Sequence, residues 1–299
     1  MTTTTPSMSS TRLSVADLTE VRVREPGRIA AGWAARERRG LVGDDGRMLL
    51  VAADHPARGA LGVRGAGAAM ASRSDLLARL VTALERPGVD GVLGTSDILD
   101  DLLLLGALED KVVFSSMNRG GLAGAQFELD DRMTAATAAA TAAMRMNGGK
   151  MLCRIDLDDP GTVATLEACA RAIDELASHG MIAMVEPFMS SRVDGKVRND
   201  LSPDAVIKSI HIGQGLGSTS AYTWMKLPVV EEMDRVMEAT TLPTLLLGGD
   251  PPDPDEAFAS WEKALGLPSV RGLIVGRTLL YPADDDVSSA VATAVSMVR

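Results

Sequence analysis

The stretch Tyr222-Thr-Trp-Met-Lys-Leu-Pro228 predicts a short β-strand with a lysine close to its end. Successive side chains of a strand point to opposite faces, so Tyr222, Trp224 and Lys226 share one face. The chain has only six lysines among its 30 lysine and arginine residues. A lysine, unlike an arginine, can lose its proton and act as a nucleophile. We therefore interpret Lys226 as a candidate reactive amine. The structural alternative is a lysine that only extends its charge into solvent.

Similar apolar runs alternate with amphipathic stretches along most of the chain, which indicates repeated strand–helix units. The predicted strands are 47–54, 89–95, 111–117, 150–156, 181–187, 222–228, 243–249 and 270–277. The predicted helices are 73–86, 97–108, 130–146, 161–179, 203–213, 229–239, 254–265 and 285–298. Two further helical segments are predicted within residues 14–40, with a break at Pro26-Gly27.

Eight such units in about 250 residues are typical of a (β/α)8 TIM barrel, an α/β fold. A doubly wound open sheet is the alternative, but the connection Asp54–Gly67 after the first strand lacks a G-x-G-x-x-G pattern. We predict a polar tail and an N-terminal helical extension over residues 1–46. Residues 47–299 are predicted to form the TIM-barrel catalytic domain.

Composition limits the classes of partner. The net charge of -10 disfavours nucleic acid or an anionic membrane as a partner. Cys153 and Cys169 form no disulfide framework, and no apolar run approaches the roughly 20 residues of a membrane span. These features predict a cytoplasmic protein that binds a small molecule.

Polar side chains end four of the predicted strands. Asp54 ends the first strand, Arg154 lies near the end of the fourth, Glu186 ends the fifth and Lys226 ends the sixth. Each lies on a strand face whose earlier side chains are apolar. In TIM barrels the catalytic residues lie at the C-terminal ends of the strands. We therefore expect the four residues to converge. The alternative is that these charges merely neutralise one another.

A reactive lysine needs a neutral amine, whereas the ordinary lysine pKa of about 10.4 leaves almost none at neutral pH. Burial beside Tyr222 and Trp224, with a guanidinium from Arg154 nearby, would favour the neutral form. The amine could then form an imine with a ketone, and Glu186 could transfer the protons. Asp54 would bind substrate hydroxyls or orient the lysine.

Glycines follow the last two predicted strands, at Gly248-Gly249 and Gly276, and Arg277 comes next. Loops at these two positions often bind phosphate in TIM barrels, because glycines let backbone N–H groups approach the anion. The three arginines nearest the first and third strand ends could hold a second anion but are interpreted as ordinary solvated side chains; they are Arg58, Arg64 and Arg119.

The three histidines are widely spaced, which disfavours a three-histidine zinc site. They are His55, His179 and His211. We therefore expect neither a metal nor an organic cofactor.

The short motifs Ala53-Asp-His55, Val185-Glu-Pro187 and Met225-Lys-Leu227, followed by the glycine turns, occur in this order along the predicted barrel. Over residues 47–280 the chain resembles the class I, Schiff-base aldolases of the fructose-bisphosphate/tagatose-bisphosphate/deoxyribose-phosphate superfamily. The resemblance implies a Schiff base at Lys226, acid/base catalysis by the glutamate of the second motif, a phosphate site near the glycine turns and a homo-oligomer.

Two departures from the family pattern affect these expectations. Arg154 stands where these families usually place a lysine on strand four. We therefore expect Arg154 to anchor the substrate and to favour the neutral amine of Lys226. The loop that follows Asp54 is unlike the usual Asp-His-Gly, which leaves the substrate open.

The expected function is the cleavage of a phosphorylated keto sugar or sugar acid into an aldehyde and a fragment like dihydroxyacetone phosphate. A deoxyribose-phosphate-type aldolase, a non-imine phosphosugar isomerase and a noncatalytic phosphosugar-binding barrel are the alternatives.

Overall fold

A computed structural model of the protein describes residues 13–249 and 254–299. Its strands are β1 (Met48–Ala52), β2 (Gly91–Gly94), β3 (Val112–Ser116), β4 (Gly148–Ile155), β5 (Ile182–Val193), β6 (Lys196–Asn199), β7 (Thr223–Pro228), β8 (Thr244–Leu247) and β9 (Val270–Val275). Its α-helices are α1 (Leu18–Arg24), α2 (Gly27–Ala35), α3 (Arg73–Glu85), α4 (Ser96–Leu104), α5 (Ala138–Ala143), α6 (Gly161–Ser178), α7 (Pro203–Gln214), α8 (Met233–Met237), α9 (Pro254–Leu265), α10 (Arg277–Leu280) and α11 (Val287–Val298).

Eight of these strands are parallel and close into a barrel. The strand order is β4-β3-β2-β1-β9-β8-β7-β5, and pairing of β4 with β5 completes the ring. β6 pairs with β5 in an antiparallel hairpin outside the ring. The predicted TIM barrel and the predicted N-terminal helices are therefore confirmed.

The alternation of side chains along the strands divides the core into two layers. Inside the barrel, one cluster includes Met48 and Leu50 of β1 and Met184 of β5. The other face of the strands packs against the surrounding helices in a larger cluster, which also includes Leu18 and Trp33 of the N-terminal helices. Trp33 is tied to α4 by a 2.8 Å hydrogen bond from its indole Nε1 to Asp100.

The predicted helix over 130–146 is wrong for most of its length, since only α5 (Ala138–Ala143) is helical. Residues 117–137 form a long loop. Its polar groups bond to one another and to other segments instead of forming the regular hydrogen bonds of a helix. Asn118 donates to the Asp131 carbonyl, and the Asp131 N–H donates to Thr165 at 2.8 Å.

β5 extends beyond the predicted end at Pro187 and turns into β6. The pairing of β5 with β7 ends at Val185, and beyond it β5 pairs in parallel with β4. Pro187 has no N–H to donate, and it is tolerated because the pairing with β7 ends before it. Arg192 in the hairpin donates to Asp159 at 2.8 Å and also to the Gln126 carbonyl. The hairpin is thereby fastened to the loops that follow β3 and β4.

The first 12 residues of the predicted N-terminal extension and residues 250–253 lie outside the described part of the chain. Within the described residues, no helix has the length and apolar character needed to cross a membrane. Cys153 and Cys169 are free and buried.

A bulge in β9 requires glycine at position 272. Thr244 pairs with Val270 but Leu245 pairs with Gly272, so Arg271 is an extra residue in β9. Gly272 has φ +139, and a Cβ on it would lie 1.8 Å from the Met48 carbonyl oxygen of β1. The bulge therefore brings two backbones closer than any side chain allows.

We predict that Gly272→Ala lowers the free energy of unfolding by about 3 kcal/mol or more, through overlap with β1 and backbone strain. Chemical denaturation monitored by circular dichroism measures the change. Gly27→Ala at the start of α2 is the control, because a Cβ there meets no atom within 4 Å. Equal stability of the two variants would contradict the proposed role of the bulge.

Candidate active site

One cavity of about 620 Å³ opens at the C-terminal ends of the barrel strands. All eight site residues predicted from the sequence line this cavity. They are Asp54, Arg154, Glu186, Lys226, Gly248, Gly249, Gly276 and Arg277. Lys150 of β4 lines it as well, although the sequence analysis does not single it out.

Two lysines share one carboxylate at the floor of the cavity. Lys226 Nζ lies 3.0 Å from Glu186 Oε1, and Lys150 Nζ contacts the other oxygen, Oε2. Lys150 Nζ also lies 3.1 Å from Asp54 Oδ2. All four residues are buried. We call Asp54, Lys150, Glu186 and Lys226 the ionic cluster.

Strand register explains this meeting. Lys150 of β4 pairs with Met184 of β5, which in turn pairs with Trp224 of β7. Glu186 and Lys226 each follow two residues later, so they share the inward face of the barrel with Lys150. The three side chains therefore converge inside the barrel.

The lysines keep both carboxylates ionised. Burial alone would raise the pKa of Glu186, but Lys150 and Lys226 lower that pKa to about 2. Burial opposes ionisation of Asp54 in the same way, and Lys150, Arg119 and Lys226 hold its pKa well below the ordinary value. Burial lowers the pKa of Lys150, and the positive charge of Lys226 adds to this effect.

Arg119 is part of the site instead of a solvated side chain. It is buried at the end of β3, and its Nη2 donates to Asp54 Oδ2 at 2.8 Å. The Ser116 hydroxyl donates to the same oxygen at 3.1 Å. Asp54 therefore has its orientation fixed from β3 and β4, and the predicted solvated role of Arg119 is wrong.

Arg154 lines the cavity but has a different partner from the expected one. Its Nη1 forms an ion pair with Glu128, and its Nη2 donates to the Glu128 carbonyl at 3.0 Å. The cation that shares Glu186 with Lys226 is Lys150. Lys150 therefore supplies the strand-four lysine that the resemblance requires, and it shares the inward face with Arg154.

The other two predicted solvated arginines are also held by the protein. Arg58 is buried and forms an ion pair with Asp131, while Arg64 is partly buried and donates to the Tyr281 carbonyl. The solvated role is wrong for Arg58.

Tyr222 does not line the cavity beside Lys226, contrary to the expectation from the shared face. It precedes β7 and is 39% exposed. A strand rises about 3.3 Å per residue, so four residues place it at the opposite end of the barrel from the lysine. Trp224 packs against the interior cluster.

Glycines and Arg277 line the β8–β9 end of the cavity. A Cβ on Gly276 would lie 2.4 Å from the Ala52 carbonyl oxygen, and Gly249 has a left-handed φ of +63. Both positions therefore favour glycine, which leaves backbone without side-chain cover beside the cavity. The geometry suits the approach of an anionic group.

His55 follows Asp54 and lies at the same end of the cavity. Burial lowers the pKa of His55 to about 4, and the nearby positive charge of Arg277 adds to this effect. His55 is therefore neutral at neutral pH.

We predict that folding stability decreases as the pH falls from about 6.5 towards 4, because the unfolded chain then binds a proton that folded His55 does not. The full shift corresponds to about 3 kcal/mol, and the 28% exposure of the side chain reduces it. NMR titration should give a His55 signal with a midpoint near pH 4. His55→Gln should remove that signal and flatten the pH dependence of stability, and a midpoint above 6 would contradict the prediction.

Comparison with known proteins places the chain in a family. A crystal structure of Cgl0159 from Corynebacterium glutamicum is 58% identical, covers 95% of this chain and 96% of its own, and superposes with a TM-score of 0.93. No curated protein matches the chain.

Two more distant structures share the fold. A Schiff-base-forming fructose-1,6-bisphosphate aldolase is 16% identical with a TM-score of 0.60, covering 91% of this chain and 100% of its own. An archaeal fructose-1,6-bisphosphate aldolase, solved with its catalytic lysine bound to the carbinolamine intermediate, is 14% identical with a TM-score of 0.63, covering 90% and 99%. At these identities the likeness shows the barrel alone. A family model described as Cgl0159-like matches residues 46–295, so the chain belongs to the Cgl0159-like family.

Proposed function

We propose that the protein is a class I aldolase that cleaves a phosphorylated keto sugar or sugar acid. The products are an aldehyde and a ketone like dihydroxyacetone phosphate. The observation that carries the proposal is the pair of buried lysines, Lys150 and Lys226, on one carboxylate at the floor of the cavity.

Charge balance supports a neutral amine in the ionic cluster. With Arg119 included, three potential cations face the two carboxylates of Asp54 and Glu186. Loss of one lysine proton leaves equal numbers of positive and negative charges, so burial favours that loss. A single neutral lysine is what imine formation needs.

Lys226 is the better candidate for the nucleophile. Lys150 forms ion pairs with two carboxylates, and both stabilise its ammonium, whereas the ion pair of Lys226 within the described residues is with Glu186. We therefore assign imine formation to Lys226, the lysine of the Met225-Lys-Leu227 motif, and Lys150 orients Asp54 and Glu186 through its two ion pairs.

The reaction begins when the Lys226 amine adds to the substrate ketone. The carbinolamine takes up a proton and loses water, which gives an iminium ion. Glu186 accepts the proton of the hydroxyl on the β-carbon, the carbon–carbon bond breaks, and its electron pair forms an enamine as the aldehyde leaves. Protonation of the enamine carbon and hydrolysis by water release the ketone and restore the amine.

The pKa of Glu186 can change during the reaction. Lys150 and Lys226 together hold its pKa near 2, and the amine form of Lys226 lacks one of these charges. Asp54, fixed by Arg119 and Ser116, is placed to bind substrate hydroxyls.

The distant structural neighbours are consistent with this chemistry. One is described as a Schiff-base-forming aldolase, and another carries its substrate intermediate on a catalytic lysine. The deoxyribose-phosphate type of aldolase uses the same imine chemistry and differs in substrate.

We predict that borohydride reduction in the presence of dihydroxyacetone phosphate forms a stable secondary amine on Lys226. Peptide mass spectrometry locates the adduct. Lys208→Met is the matched control, since Lys208 is an exposed lysine on α7 and its loss should leave labelling unchanged. An adduct on Lys150, or none, would contradict the assignment.

We further predict different effects of two charge-conserving variants. Lys226→Arg should abolish the adduct and lower kcat/KM by roughly a thousandfold or more, because a guanidinium supplies no free amine. Lys150→Arg should retain an adduct on Lys226. A steady-state assay of carbonyl release measures both variants, and substantial turnover by Lys226→Arg would favour a non-imine isomerase instead.

A further inference from the structure

We infer that the substrate carries one phosphoryl group, at the β8–β9 end of the cavity, and that its opposite end is not phosphorylated. The inference rests on the proposed function for the orientation of the cleaved bond. It separates this protein's substrate class from sugar bisphosphates, and the deciding residue is Glu128.

Barrel order places the two ends of the cavity across from each other. Around the ring, β4 lies four strands from β9, which is the largest separation in an eight-stranded barrel. Arg154 lies near the C-terminal end of β4, while Gly276 and Arg277 follow β9. A substrate held at one end therefore extends past Lys226 towards the other.

At the β4 end, the two arginines that could bind a second phosphate already have carboxylate partners. Arg154 is paired with Glu128, and Arg58 is paired with Asp131. All four residues are buried. Each guanidinium thus already faces one carboxylate of the protein.

These pairs are reinforced by hydrogen bonds to the backbone. Arg58 Nη1 donates to the Gly121 carbonyl at 2.7 Å, and the Gly124 N–H donates to Glu128 Oε2 at 2.8 Å. A phosphate would have to displace Glu128 or remain beside it in a region of low solvation. Uncompensated burial of charge is costly, so a second phosphate is disfavoured.

The rest of the β4–β5 wall suits an end that carries hydroxyls or at most one negative charge. Phe188 and Leu201 contribute apolar surface, and Asn199 of the hairpin contributes an amide. At the β8–β9 end, Gly249, Gly276 and Arg277 line the cavity. The two ends of the cavity therefore differ in the groups that line them.

The test measures binding of reduced sugars, because a hexitol has no carbonyl and cannot form an imine. Calorimetry compares a hexitol 1-phosphate with the corresponding hexitol 1,6-bisphosphate on the full-length protein. We expect the monophosphate to bind at least as tightly as the bisphosphate. A bisphosphate that binds tenfold or more tightly to the wild-type protein would overturn the inference.

Glu128→Gln supplies the second arm of the test. Removal of one negative charge beside Arg154 should shift the ratio of the two affinities about tenfold towards the bisphosphate. Glu167→Gln removes the same charge from the exposed face of α6, away from the cavity, and should leave the ratio unchanged. An equal shift in both variants, or none in Glu128→Gln, would overturn the role of Glu128.

A third compound distinguishes the two kinds of unphosphorylated end. A 6-phosphoaldonate, which carries a carboxylate at the far end, competes with the hexitol 1-phosphate if the substrate is a sugar acid. Preference for the uncharged hexitol phosphate indicates a keto sugar, and either result supports a single phosphate. Failure of borohydride trapping would refute the imine mechanism without changing these affinities, so the two hypotheses fail separately.

Discussion

Burial of paired charges at the barrel floor is the constraint on which the structure depends. Four strands supply the ionic cluster, and each of its members would be costly to bury without the others. A shift of one residue in β4 or β7 would turn its lysine towards the helices and leave Glu186 without a partner. The register of the barrel strands therefore determines the electrostatics of the cavity. The apolar interior layer beneath the cluster holds that register.

The protein compensates charge differently in different parts of the cavity. On the β4 side it supplies its own counterions, Glu128 and Asp131. The floor has an excess of potential cations over carboxylates, which favours a neutral amine. The β8–β9 end is built from glycines and Arg277 and suits an anion brought by the substrate. Under the proposed function, these differences would set the orientation and the charge of the substrate.

Local patterns in the sequence predict the barrel and most of the site. Apolar runs and the alternation of side chains between two faces predict the strands. Asp54, Glu186 and Lys226 stand at the ends of these predicted strands. Lys150 shares the inward face with Arg154, and that spacing could have revealed it. The pairing of Arg154 with Glu128 depends on the path of a long loop that has no periodic signal. Such tertiary contacts, like the hairpin after Pro187, are set by packing between distant segments.

The central claim is that the ionic cluster forms an imine, and exchange of the carbonyl oxygen tests it most directly. An imine forms only when the ketone oxygen leaves as water, so dihydroxyacetone phosphate labelled with ¹⁸O at its carbonyl should lose the label to solvent. We expect the protein to accelerate this loss well above the spontaneous rate, without any aldehyde present. Exchange of the neighbouring C–H protons with no acceleration of oxygen loss would contradict the imine and indicate direct proton abstraction by a carboxylate.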